Sequence, residues 1–241
     1  MKKMISMSLF VFLLIGLTAP AVFSQDAPSI RAKMIEALGG IKVLEAIKDT
    51  TITGTIEIVQ QGLSGTINTY WKSPDKSRAD IEVMGMLITQ AYDGTTAWYI
   101  NPQTGAVEDM TEDQAAQMKR EAYGIASLIT PEKFGITYSF KGKEAIEGKE
   151  YLILEAKHED DFTSLSYIDP DTYLPYKSKA TITNEMGMEV EVESFSSDYK
   201  KVNGMMMAHT QVSYMDGEEY INLTITEVKV NTGLEDDFFS K

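Results

Sequence analysis

From Thr51 onward the chain leaves a helical period and repeats every two residues, and this most constrains what it can fold into. Ile52, Gly54, Ile56 and Ile58 alternate with Thr53, Thr55 and Glu57, the pattern of a strand with one buried face. Comparable runs follow over 136–141, 151–158, 162–169, 176–184, 189–197, 205–214 and 219–230. Turn residues divide them: Glu147-Gly148, Asp169-Pro170-Asp171, Met186-Gly187, Asn203-Gly204 and Asp216-Gly217. Short strands at even spacing indicate an antiparallel meander. With the strands before residue 102, the pattern predicts an α+β chain whose curved antiparallel sheet has about eleven or twelve strands. So many strands twist too strongly to stay flat and open.

Two stretches interrupt the alternation. Over Pro28–Asp49, Ile30, Met34 and Leu38 share a helical face, Gly39-Gly40 ends that helix, and Ile41, Leu44 and Ile47 make a second amphipathic turn. Over 111–133, Thr111 and Gln114 form a capping box, and Ala115, Met118 and Ala122 share one face of a helix ending near Gly124. Thr130-Pro131 starts another turn that Gly135 ends. Helices from both places are expected to plug the concave side of the sheet.

Between Tyr70 and Pro102 lie three short strands, opened by Pro74-Asp75 and joined by Met84-Gly85-Met86 and Asp93-Gly94. Asp93-Gly94 predicts a two-residue turn with positive φ at both positions. The order P-x-x-x-R (Pro74, Arg78), then Y-D-G-x-x-x-W-x-x-x-P (Tyr92 to Pro102), is more specific than a hairpin needs. Together with YIDPDTYLPYK at 167–177 and SDYKKVNG at 197–204, it resembles the periplasmic lipoprotein-carrier family, the LolA/LolB-like outer membrane lipoprotein-sorting proteins. The resemblance covers most of residues 25–241. It implies one half-barrel domain, closed by helices, that shields acyl chains of lipoproteins or other lipids on their way toward the outer membrane. An inner-membrane donor and an outer-membrane acceptor are the implied partners, without catalysis and without a cofactor. Pro74, Arg78, Asp93, Gly94 and Pro102 match the motif and are expected to define the fold more than touch ligand. Carriers of this kind often place a basic residue before the proline to latch the helical lid; here that residue is Ser73, with Lys72 one place earlier.

Ala79, Ile81 and Val83 share one face of their strand, and Trp98 and Ile100 share one of theirs. These five are the expected lining of an apolar concavity. The competing expectation is a non-catalytic envelope module with an ordinary filled core.

The N-terminus reads as a secretory signal. Lys2 and Lys3 precede an apolar run from Ile5 to Leu17, and Val22-Phe23-Ser24 predicts cleavage before Gln25 and a periplasmic destination. The whole chain has 22 basic and 36 acidic residues, a net charge of −14. Such a balance repels nucleic acid and anionic surfaces at long range. There is no cysteine, which removes disulfide and thiol chemistry.

Catalytic patterns are sparse. His158 and His209 sit at or in strands without a helical ligand partner. Ser73-x-x-Lys76 spells a nucleophile motif, but in a turn rather than at a helix start. Glu189, Glu191 and Glu193 run along one strand face instead of converging on a cation, so no metal site is expected. Methionines cluster at 84–86, at 186–188 and at 205–207; they suit either a core or an adaptable apolar surface.

Overall fold

The computed structural model describes residues 26–184 and 187–241. The expected signal segment, its expected cleavage site and Met186 lie outside them. The helices are α1 (Ala27–Ala37), α2 (Ile41–Ala46), α3 (Glu112–Ala122) and α4 (Gly124–Ile129). The strands are β1 (Asp49–Ile58), β2 (Leu63–Lys72), β3 (Lys76–Val83), β4 (Met86–Tyr92), β5 (Ala97–Ile100), β6 (Val107–Asp109) and β7 (Thr137–Ile146). They continue with β8 (Lys149–Lys157), β9 (Thr163–Ile168), β10 (Pro175–Thr183), β11 (Glu189–Val202), β12 (Met205–Met215) and β13 (Glu218–Val230).

All thirteen strands form one antiparallel sheet, ordered β6-β5-β4-β3-β2-β1-β13-β12-β11-β10-β9-β8-β7. Two meanders thus meet where β1 pairs with β13, from Thr50↔Val230 to Ile58↔Ile221. The free edges, β6 and β7, come from the middle of the chain and never pair, so the barrel stays open. The α+β reading and the curved, unclosed sheet are borne out. β6 is the strand beyond the expected count; three residues are too few to display a period.

Local chemistry starts the helices where expected. The Asp26 carboxylate accepts from the Ser29 amide (2.8 Å) at the head of α1, where Pro28 needs no partner for a missing N–H. Thr111 and Gln114 form the reciprocal capping box of α3. α1 ends against the β11–β12 turn, where the Met206 amide donates to the Leu38 carbonyl (2.9 Å). A Cβ on Gly39 would come within 2.5 Å of the Gly204 carbonyl oxygen, so only glycine allows this approach.

Residues directly opposite in an antiparallel ladder project to the same face. Trp71 of β2 and Leu152 and Leu154 of β8 point to the face that carries the helices. Ile30, Met34, Leu44 and Leu128 pack there with Leu152, Leu154, Ile168 and Met205 into the main core. The α3–α4 junction touches both arms of the sheet: the Trp71 indole donates to the Ala122 carbonyl (2.5 Å), and Tyr123 packs with Ile136 and Ala156. A sheet that reaches one helical junction from β2 and from β8 must curve around it. The helix-bearing face is therefore the concave one.

Candidate functional site: the open half of the concave face

The helices cover only one end of the concavity. Below them, Gly54, Ile67, Ile81 and Ile88 form a register row across β1 to β4, and Ile225 of β13 lies opposite Gly54. The next row is Ile56, Gly65, Val83 and Met86. Ile67, Ile81, Ile88 and Ile225 are only partly buried, unlike Leu152, Leu154 and Ile168, which the helices cover completely. Val83 is buried at the far side of this floor. Ala79 lies one row nearer the helices, opposite Thr69 and Gln90. Ala79, Ile81 and Val83 thus lie on the concave face.

Trp98 and Ile100 lie on the other face. Trp98 opposes Ala91, and Ala91 opposes Arg78, so Trp98 projects with Arg78 to the convex side, as does Ile100. The five residues do not share one surface, because the alternation of β3 carries through both turns and sets Trp98 against the even-numbered face of β3. Counting residues through the Met84-Gly85 turn and then through the turn at Asp93-Gly94 reveals this from the sequence alone.

On the convex side Arg78 and Trp98 grip the end of the chain. A 3-10 turn at Asp236–Phe239 crosses the sheet there. Arg78 donates Nη1–H to the Phe238 carbonyl (3.0 Å), and its guanidinium lies 4.5 Å from that ring's centroid. The Trp98 indole donates to the Phe239 carbonyl (2.8 Å), and Phe239 is fully buried. Lys72 pairs with Asp236 (2.6 Å), so it points away from the helices.

The β4–β5 connection departs from the expected two-residue turn. It spans Asp93–Thr96, closed by the Asp93 amide donating to the Thr96 carbonyl (3.2 Å). Gly94 has φ +97°, whereas Asp93 is not in the positive-φ region. The Asp93 carboxylate instead accepts from the Thr95 and Thr96 amides, each at 2.8 Å. A Cβ on Gly94 would stand 3.3 Å from an Asp75 carboxylate oxygen, so this turn and the Pro74-Asp75 turn pack together. Burial pushes the Asp75 carboxyl up. Pro102 is exposed in the β5–β6 loop.

α3 straps the open barrel. Met118 and Ala122 pack on Tyr92 and Ala97 of β4 and β5. From its other side Arg120 pairs with Asp160 in the β8–β9 turn and lies 4.1 Å from the Phe162 ring centroid. This pairing ties the helix to the opposite arm, where a basic residue at the position of Ser73 is lacking. Glu121 is exposed and accepts from Gln117 (3.0 Å), yet burial pushes its carboxyl above the usual range.

The remaining sequence candidates are accounted for locally. His209 Nδ1 lies 3.0 Å from the Met207 carbonyl, and His158 makes an edge contact with Phe162. Glu191 and Glu193 pair with Lys179 (2.7 Å) and Lys177 (2.5 Å) on the convex face. Among the described residues no three acidic or histidine side chains gather as a metal site requires. The methionines divide: Met205 and Met207 pack in the core, while Met84, Met86 and Met188 are 73%, 53% and 50% exposed at the rim farthest from the helices. A surface cleft of about 370 Å³ lies beside α2, lined by Val43, Ile47, Asn203 and Val230; it does not include Ala79, Ile81 or Val83.

Three solved structures share this architecture. A LolA superfamily protein from Nitrosomonas europaea matches with TM-score 0.61 at 14% identity, covering 90% of this chain and 99% of its own. A DUF1329 family protein from Desulfovibrio piger gives 0.60 at 14%, covering 89% and 97%. A domain assigned as an outer membrane lipoprotein-sorting protein from Vibrio parahaemolyticus gives 0.57 at 13%, covering 88% and 94%. The chain has a LolA-like fold. No protein-family model and no curated protein matches it by sequence, so the likeness is one of architecture. In this LolA-like half-barrel the open floor lies beneath α3, on the side of the sheet opposite the C-terminal strap.

Proposed function

We propose that this protein carries lipid, or the acyl chains of lipoproteins, in the open half of its concave face, in the periplasm and without catalysis. The observation that carries the reading is the row Ile67, Ile81 and Ile88, partly exposed on a concave floor. Each methylene transferred from water to such a floor contributes about 0.8 kcal/mol. The LolA-like architecture, shared with a domain assigned to lipoprotein sorting, supports the same reading. A donor in the inner membrane and an acceptor in the outer membrane complete the proposal.

The test is Ile81→Glu. A carboxylate in a filled core costs several kcal/mol, whereas on an open floor it stays hydrated. The variant is expected to keep its melting temperature within a few degrees and to lose binding of a fluorescent fatty acid. Glu191→Ala, on the convex face, is the control and should leave both unchanged. Wild-type protein that binds no fatty-acid probe and carries no extractable lipid would leave the competing reading, an envelope module with a filled core.

A further inference from the structure

The two arms of the concave floor differ in chemistry. On the β9–β12 arm, Ser166 opposes Ser178, Ser178 opposes Ser194, and Ser194 opposes Ser213. Ser166 also opposes the core residue Leu154, so the row faces the concavity. Four hydroxyls on adjacent strands span about 14 Å. Ser178 is exposed and Ser166 and Ser194 are partly exposed. Ser194 and Ser213 share a hydrogen bond (2.9 Å), and Gln211 donates to Ser213 (3.3 Å). The other arm carries Ile67, Ile81 and Ile88 at its register row.

Ser194 and buried Ser213 bond each other, but a floor meant only for hydrocarbon gains nothing from the hydroxyls of Ser166 and Ser178, which would be desolvated when alkyl chains cover them. Hydroxyls both donate and accept, which matches the hydroxyls of a sugar. A phosphate headgroup would call for basic side chains. The residues flanking the serine row on this face, Ser164, Ala180, Val192, Ser196 and Gln211, include none, and the net charge of the chain is −14.

We infer that the ligand is a glycolipid with an uncharged sugar headgroup, its chains on the isoleucine arm and its sugar on the serine row. This inference rests on the carrier reading proposed above.

Three probes with the same twelve-carbon chain separate the two: dodecyl maltoside, dodecyl phosphate and dodecanoate, each below its micellar concentration, followed by calorimetry. Wild-type protein is expected to bind the maltoside at least tenfold more tightly than the phosphate. Ser178→Ala with Ser194→Ala should reduce that preference by roughly fivefold for each hydrogen bond lost. Ser178→Thr, which keeps the hydroxyl, should retain it. Circular dichroism and melting check that the variants remain folded. If the maltoside and the phosphate bind equally, or the double variant keeps the wild-type preference, the headgroup inference is wrong while the carrier reading stands. If none of the three probes binds, the carrier reading itself fails.

Discussion

Single side chains fix where the last residues of the chain lie. Asp49 is 4% exposed and accepts from the Thr232 amide (2.7 Å), the Thr232 hydroxyl (2.9 Å) and the Gly233 amide (3.0 Å). Burial alone would raise its carboxyl, but these hydrogen bonds outweigh it and hold the pKa below the ordinary 3.8. A depressed carboxylate contributes stability that is present above its unfolded value and is lost as pH falls through the folded one. Asp49→Asn should therefore be less stable than wild type at neutral pH and lose less stability on acidification from about pH 5 to about pH 3. Denaturant titrations at several pH values measure this; parallel curves for the two proteins would contradict it. Trp98→Phe removes the donor to the Phe239 carbonyl and should cost about 1–3 kcal/mol. Carboxypeptidase digestion should then release the final residues faster than in wild type. Trp98 was recognisable in its motif, but its partner was not. That partner is a backbone carbonyl 141 positions away, in a single 3-10 turn without periodicity.

At the scale of elements, helices and strands were the most readable part of the sequence. The capping box of α3 and the ends of β10, β12 and β13 follow from turn residues and alternation that act within a few positions, whereas β11 runs past the expected end at 197 to Val202. What α3 does was less accessible. Its apolar stripe, Ala115, Met118 and Ala122, indicated one packed side, whereas its function as a strap depends on Arg120 meeting Asp160 and Phe162 across the concavity. No local pattern encodes a contact between a helix and a turn of the opposite arm. Arg120→Ala should free this end of the helix. Hydrogen exchange should accelerate over 118–129 and 158–162, while global stability falls by about 1 kcal/mol, the magnitude of a partly exposed pair reinforced by a ring contact. Unchanged exchange in both segments would mean that packing on Tyr92 and Ala97 holds α3 without the ion pair.

For the whole molecule, the fold class followed from spacing because a long antiparallel meander has few ways to bury one face. The composition of the concave floor was half legible. Ala79, Ile81 and Val83 lie on it as their alternation suggested, and Ile88 follows by counting through the Met84-Gly85 turn; the serine row needs the register of each hairpin from β9 to β12, and Ile225 joins only once the β1–β13 register is known. That register has a consequence for time rather than for shape. Every ladder in the sheet but one joins strands that follow each other in the chain; the exception is the seam of β1 with β13. Closing it brings together residues as far apart as Thr50 and Val230, and the entropy of closing so long a loop must be met before the contact returns anything. The two meanders should form early and the seam last, so the seam sets the folding rate. A circular permutant whose residues 26 and 241 are joined by a flexible linker long enough to pass around the sheet edge, with new ends in the exposed loop at Pro102, makes that pairing more local. It should refold several-fold faster than the natural order while its unfolding rate changes little.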